Sequence, residues 1–362
     1  MTFRQRHLTT FRREPLARVL WQPRLEHWYN VNRAQGTLPE RYQGIGHLEL
    51  YDDLNCSPRG YFMFNQCFKT IQQGDVETAT EQRGELTITT VRTPVGEIQT
   101  VHKRTTLSHM TVEYFVKTPA DMKVQEYLLQ HERVEFDWDL FREQDARLGD
   151  RGAPTIYLPR VNLQRMFINY MGFENAIYAL HDFPAETEAL IQAIDLSDDR
   201  FYEAAQASPI EIIDYGDNVD ANMLCVPHFE KYVLPYYQRR TTQLRAAGKR
   251  THCHWDGALK PLLPYCRECG FDGFEALTPE PQGDVTLEQI KEALGDELIL
   301  VDGIPCTHFL PQHSYEEVEQ FTLKILDMFA PNIVLGISDE ISPPGDIEKV
   351  RLISEIVESY SL

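Results

Sequence analysis

Residues 297–339 read ELILVDGIPCTHFLPQHSYEEVEQFTLKILDMFAPNIVLGISD. An apolar run (297–303) precedes a segment of helical periodicity (314–330), and a second apolar run (332–339) follows it. Two short apolar strands joined through a helix of this length require a crossover connection, so the strands are predicted to be parallel. The unit recurs on both sides. Upstream, IEIIDYGD (210–217) leads into the helix VPHFEKYVLPYYQRRTTQLRAAG (226–248), ended by Gly248. KRTHCHWDG (249–257) leads into a predicted helix LKPLLPYCRECG (259–270), and FDGFEAL (271–277) into TLEQIKEALG (286–295). Downstream, DIEKVRLISEIVESY (346–360) reads as the last helix. Strand–helix units without a domain break favour a closed TIM (β/α)8 barrel over an open sheet.

The N-terminal third reads differently. The segment WQPRLEHWYNVN (21–32) is dense in aromatic and basic side chains and fits neither a simple helix nor a strand. Trp21, Arg24, His27, Trp28 and Tyr29 would suit either stacking and anion contacts to a planar ligand or an arm packed across a barrel. Strand signals over 84–117, with GELTITTVRTPVGEIQTVHKRT (84–105) alternating about Pro94-Val95-Gly96, predict an inserted β-hairpin. TPADMKVQEYLLQHE (118–132) reads as a helix with Thr118 as N-cap and Pro119 at its first position. The expected organisation is one barrel domain over 1–362, with an N-terminal arm and hairpin region (1–118) and the main barrel body (119–362).

Composition narrows the function classes. Lys and Arg number 35 against 55 Asp and Glu, a net charge of −20. A chain this acidic offers no broad phosphate-binding surface, so nucleic acid is not an expected partner. No stretch approaches the roughly 20 apolar residues that span a bilayer. Seven Cys at irregular spacing do not form a disulfide framework, and the expectation is a cytoplasmic protein with reduced thiols. Cys266 and Cys269 lack a second pair to complete a zinc site, so they read as packing residues.

In a (β/α)8 barrel the chemistry lies where strands end and βα loops begin. There stand Asp214, Asp217 and Asn218; His252, His254 and Asp256; Glu275 and Thr278; Asp302; and Ser338, Asp339 and Glu340. Asp and Ser also end strands as caps and turn residues. The most informative segment is Thr251–Gly257. With a period of two, His252, His254 and Asp256 share one face, and Cys253 and Trp255 take the other. Two imidazoles and a carboxylate on one face suit a divalent metal, metal-free acid–base chemistry, or a hydrogen-bonded polar layer.

These residues lie in a pattern that resembles the uroporphyrinogen decarboxylase superfamily, which includes corrinoid-dependent methyltransferases. The resemblance covers about 155–362. It runs through Asp217-Asn218, Pro227-His228-Phe229, Leu234-Pro235-Tyr236, His254-Trp255-Asp256-Gly257, Gly273-Phe274-Glu275-Ala276-Leu277-Thr278-Pro279, Gly283-Asp284, Asp302-Gly303-Ile304 and Pro343-Pro344-Gly345. It implies a TIM barrel with substrate in a deep mouth. The Arg-rich signature of the decarboxylase branch is absent, which leaves a decarboxylase or lyase of a carboxylated or tetrapyrrole-like substrate as the second reading. The methyltransferase branch is the nearer one. It implies transfer of a methyl group between a small molecule and methylcobalamin on a separate corrinoid protein, because no Asp-x-His-x-x-Gly cobalamin motif occurs here. Tetrahydrofolate or a thiol is the implied acceptor. Thiol-activating members hold zinc through His-x-Cys and a later Cys. Here those positions read His254, Asp256 and Asp339, a candidate set for zinc or another divalent metal. The implied catalytic residues are His254, Asp256, Glu275 and Asp339, with Asp217, Asn218, His252 and Asp302 binding substrate. A non-enzymatic scaffold is the remaining reading.

Overall fold

The computed structural model describes residues 1–105 and 108–362. These divide into two compact units, one of residues 1–66, 138–158 and 209–362, the other of residues 67–137 and 159–208.

The first unit is built on a parallel sheet of seven strands: β1 (Leu20–Trp21), β2 (Thr155–Leu158), β3 (Ile212–Val219), β4 (Arg250–Trp255), β5 (Gly273–Glu275), β6 (Ile299–Pro305) and β7 (Ile333–Ser338). Their order is β1-β7-β6-β5-β4-β3-β2, so the first strand pairs with the last and the sheet curls into a TIM-like barrel. Residues 57–60 fill the place of an eighth stave. The Ser57 N–H donates to the Trp21 carbonyl (2.9 Å), and the Gly60 N–H donates to Thr155 Oγ1 (3.2 Å). Just beyond, the Asn65 amide pairs with both backbone groups of Tyr157.

Alternation along the strands sorts the side chains as the period of two predicts. On β4, Cys253 and Trp255 face the surrounding helices, with Cys253 Sγ 3.6 Å from the Tyr237 hydroxyl and Trp255 packed edge-on against Phe229 and Phe274. His252 and His254 face inward. The helix α1 (Phe3–Arg12) closes the N-terminal end of the barrel. Its Phe11 packs in a cluster with Leu20, Ala153, Ile212, Ile299, Val301 and Val334, the early residues of five strands or their approaches. Thr2 starts this helix through a capping box with Gln5.

The helices expected over 226–248, 286–295, 314–330 and 346–360 form, the first with a π-helical turn at Phe229–Val233 just ahead of Pro235. The segment 259–270 is a correction. It holds only a 3-10 turn (Leu263–Tyr265), because Pro261 and Pro264 each lack an N–H for a continuous α-helix. Cys266 and Cys269 are buried and free there.

The second unit contains the inserted hairpin. Leu86–Thr93 and Gly96–Arg104 pair antiparallel, with Thr93 opposite Gly96 across the Pro94-Val95 turn. They form the centre of a four-stranded sheet flanked by Glu77–Arg83 and His109–Glu113. Thr118 caps the helix Pro119–Gln130, whose Val124 and Leu128 pack on Val91 and Ile98. Residues 106 and 107 of the predicted hairpin region lie outside the described residues. Barrel staves thus come from both sides of residue 118, while the helix from Pro119 belongs with the hairpin.

Candidate active site

Glu275, the last residue of β5, is fully buried and stands at the centre of a polar cluster inside the barrel mouth. Its Oε1 accepts from Arg59 Nη1 (2.5 Å) and lies 3.2 Å from His254 Nδ1. Its Oε2 accepts from the Tyr61 hydroxyl (3.1 Å) and lies 3.4 Å from His252 Nδ1. Arg59 forks between Glu275 and Asp302, a bidentate use of guanidinium that a lysine could not reproduce. His254 Nε2 is 3.9 Å from Asp256, which is one-third exposed, so His254 bridges the buried carboxylate and a solvent-facing one. On the inner side, His252 Nδ1 is 3.3 Å from Asp214 Oδ1, and the Phe11 ring lies 5.4 Å from the imidazole.

The backbone bends to make this arrangement. Asn218 near the end of β3, Ala276 just after β5, Asp302 in the middle of β6 and Asp339 just after β7 take left-handed φ values of 49°, 63°, 83° and 72°. Each costs about 1–2 kcal/mol outside glycine, and such strain collects at functional sites. At Asp302 it has a visible result. Val301 packs with Phe11 inside the barrel, so alternation would send Asp302 outward, yet its carboxylate turns in to meet Arg59. Gly336 on β7 makes room, since a Cβ there would land on Asp302 Oδ1 and come within 3.1 Å of Arg59 Nη2.

Electrostatics differ sharply among these neighbours. Burial opposes ionisation of Glu275, but Arg59 and the two histidines overcome it and hold the carboxyl well below the usual range. Burial, reinforced by the charge on Glu275, pushes Asp214 well above that range, and burial raises Asp302 to about 7 against the pull of Arg59. Burial disfavours charge on His254, yet the neighbouring carboxylates of Asp256 and Glu275 raise it to about 9. Burial lowers His252 despite Glu275. Three carboxyl groups and two imidazoles within one cluster are thereby driven apart in basicity, which is the arrangement acid–base chemistry uses.

The structure gathers His252, His254, Asp256, Glu275 and Asp302 in or beside this cluster. Asp339 is 60 % exposed and faces Arg24 at 3.5 Å. His254, Asp256 and Asp339 therefore do not converge on a common point. Among the described residues, the group whose ligand atoms do converge, within 4.8 Å of one another, is Asp214, His252 and Glu275, and it could hold a metal ion. Asp217 points the other way, accepting from the Tyr237 hydroxyl (2.7 Å) in the helical layer, and Asn218 is exposed at the strand end. Of the aromatic N-terminal segment, Trp28 is buried and donates to the Gly345 carbonyl, so packing is its use. Arg24 instead reaches the mouth, where Nη2 pairs with Glu340 (3.3 Å) and Nη1 lies 3.7 Å from Glu275. Arg59 and Tyr61 were not legible as site residues. Cys306, half-buried just after β6, is a thiol pushed up by burial and by Asp339.

The methyltransferase from Methanosarcina mazei superposes with a TM-score of 0.60 at 12 % identity, over 99 % of this chain and 98 % of that one. A B12-independent methionine synthase from Shewanella sp. W3-18-1 gives a TM-score of 0.46 at 12 % identity, over 95 % and 97 % of the two chains. A stretch of 131 residues is 31 % identical to the cysteine desulfurase IscS of Aeromonas hydrophila, covering 36 % of this chain and 29 % of that protein. This chain thus spans about a third of the length of the curated relatives it matches. None of the helices described is long and apolar enough to cross a membrane. The family model for uroporphyrinogen decarboxylase (URO-D) matches residues 166–360, more than half of the chain, and the protein belongs to that family.

Proposed function

We propose that this protein is a methyltransferase that moves a methyl group between a corrinoid on a partner protein and a small molecule held at the barrel mouth. The observation that carries the reading is His254, which bridges the fully buried Glu275 and the solvent-facing Asp256 at the mouth of a URO-D barrel. The corrinoid would supply the methyl donor or acceptor. This chain's residues bind and orient the other substrate, exclude water and handle its proton. A heteroatom that loses a methyl group must gain a proton, and one that gains a methyl group must shed one. His254 is placed to exchange that proton with the substrate, with Glu275 fixing the ring and Asp256 connecting it to solvent. Asn218 and Asp339, both at the rim, orient the substrate. The groups gathered about His254 are imidazole and carboxylate, with the Cys306 thiol beside Asp339 rather than among them, which favours an amine-type acceptor such as tetrahydrofolate over a thiol.

The test is methyl transfer to or from free methylcobalamin, with tetrahydrofolate and thiol acceptors in parallel. His254→Ala should lower turnover by about 100-fold or more while the circular dichroism spectrum stays that of the folded protein, with a lower melting temperature because Glu275 loses a buried partner. Unchanged turnover would remove His254 from the mechanism. Decarboxylation is the second reading, favoured by Arg24, whose Nη1 is buried without a hydrogen bond beside Glu275 and could take a substrate carboxylate. Carbon dioxide release without a corrinoid would establish it instead.

A further inference from the structure

We infer that Asp214, His252 and Glu275 form a divalent-cation site inside the barrel, below the mouth and distinct from the His254, Asp256 and Asp339 positions. The three residues come from adjacent strands β3, β4 and β5, and Asp214 and His252 are direct register partners. His252 Nδ1 lies 3.3 Å from Asp214 Oδ1 and 3.4 Å from Glu275 Oε2. A cation bonded at about 2.0–2.2 Å to donors in tetrahedral array would hold those donors roughly 3.3–3.6 Å apart. Two of the three donor pairs already stand at that spacing, and the third lies within 4.8 Å.

Two further observations point to a ligand. Both oxygens of Asp214 and Nδ1 of His252 are buried and make no hydrogen bond. Leaving such atoms dry and unpaired costs several kcal/mol in general, so the fold is poised around something that coordinates them. Charge gives the second argument. Asp214, Glu275 and Asp302 are all fully buried, against the guanidinium of Arg59 and the imidazolium of His254 in the same cluster. A divalent cation that displaces the Asp214 proton offsets what Arg59 and His254 leave over. One imidazole nitrogen and two carboxylate oxygens form a set of intermediate hardness, suited to Zn²⁺, Mn²⁺, Fe²⁺ or Co²⁺ rather than a thiophilic ion. The surrounding contacts fit the role. Arg59 and His254 occupy Glu275 Oε1, while Oε2, the oxygen nearer His252, accepts from Tyr61 and keeps a second lone pair for a metal. Phe11 packs against the His252 ring and limits its rotation.

The site does not depend on methyl transfer, and its test reads binding rather than turnover. Full-length protein stripped with a chelator is titrated with Co²⁺, following the visible absorption of the bound ion, and with Zn²⁺, following heat and melting temperature. One equivalent should bind and raise the melting temperature. Asp214→Asn, which keeps the shape and removes the charge, should weaken binding about 100-fold or more, and His252→Gln should do the same. Asp256→Asn and Asp339→Asn should bind within a few-fold of wild type. Loss of binding in Asp256→Asn or Asp339→Asn with retention in Asp214→Asn would move the metal to the mouth and overturn the assignment. Failure of folded wild-type protein to bind either ion would overturn it too, and would mean that protons balance the buried carboxylates. Because no corrinoid or substrate enters the experiment, an inactive methyltransferase could still pass it.

Discussion

Arg59 carries more of the site than any residue the sequence singled out. Its guanidinium is nearly dry and holds two fully buried carboxylates, Glu275 and Asp302, at once. Removing one partner of a buried charge group leaves the others uncompensated, a loss of about 3–5 kcal/mol. Arg59→Met is therefore expected to lower unfolding stability by that order in urea. Arg59→Lys should recover only part of it, because one ammonium nitrogen cannot reproduce the two separate Nη positions that meet Glu275 and Asp302. Equal stability of the methionine variant and wild type would show that the carboxylates are neutral in the folded protein. The residue was hidden for a physical reason. His254 and Glu275 could be read because they sit on strands whose period of two assigns a face to every side chain. Arg59 lies in residues 57–60, an eighth stave held by two backbone contacts and one side-chain amide, with no alternation to announce it. Asp217 shows the reverse error. It stands at a strand end, but counting from the inward Asp214 it is three residues on, on the outer face, where Tyr237 meets it.

At the scale of elements, the barrel is closed below by a helix and left open above by irregular strand ends. The parallel strands and most of their crossover helices were legible because those helices are long enough to show their periodicity, and two of them start on a capping residue. Thr286 and Ser314 make capping boxes where the sequence places them. The first 60 residues were not legible, since β1 is two residues long and its neighbours are short helices. What α1 does follows from Phe11, which is 1 % exposed at the floor of the barrel among aliphatic side chains of five strands or their approaches. Phe11→Ala would open a cavity directly beneath His252 and is expected to cost about 3–5 kcal/mol. Phe11→Leu, closer in volume, should cost much less. Denaturant unfolding of the two variants checks this, and equal losses would mean that α1 anchors the floor through its polar contacts instead. Those contacts are real competitors: Arg6 pairs with Glu358 (2.5 Å), and Arg4 with Asp145 (2.7 Å).

For the whole molecule, a polar interior should show in how stability depends on pH. His7 of α1 is buried, and burial together with the nearby charges of His252 and Arg59 lowers it to about 3. In the unfolded chain it would titrate near 6.5. Between those values the unfolded state binds the proton and the folded state does not, so stability rises with pH through that window and is lost as pH falls through it. Asp302 acts with the opposite sign. Its folded value is about 7, above that of a free carboxyl, so its contribution is present in acid and lost as pH rises through 7. The two overlap between about pH 4 and 6.5, where the curve for wild type alone cannot separate them. The difference between wild type and His7→Gln can, because glutamine keeps a polar side chain that never charges. That difference is expected to shrink by a few kcal/mol from pH 6.5 down to pH 3, at about 1.4 kcal/mol per unit, with the variant showing the shallower acid limb. Parallel curves over that range would mean that His7 charges in the folded protein, and that the floor of the barrel admits solvent.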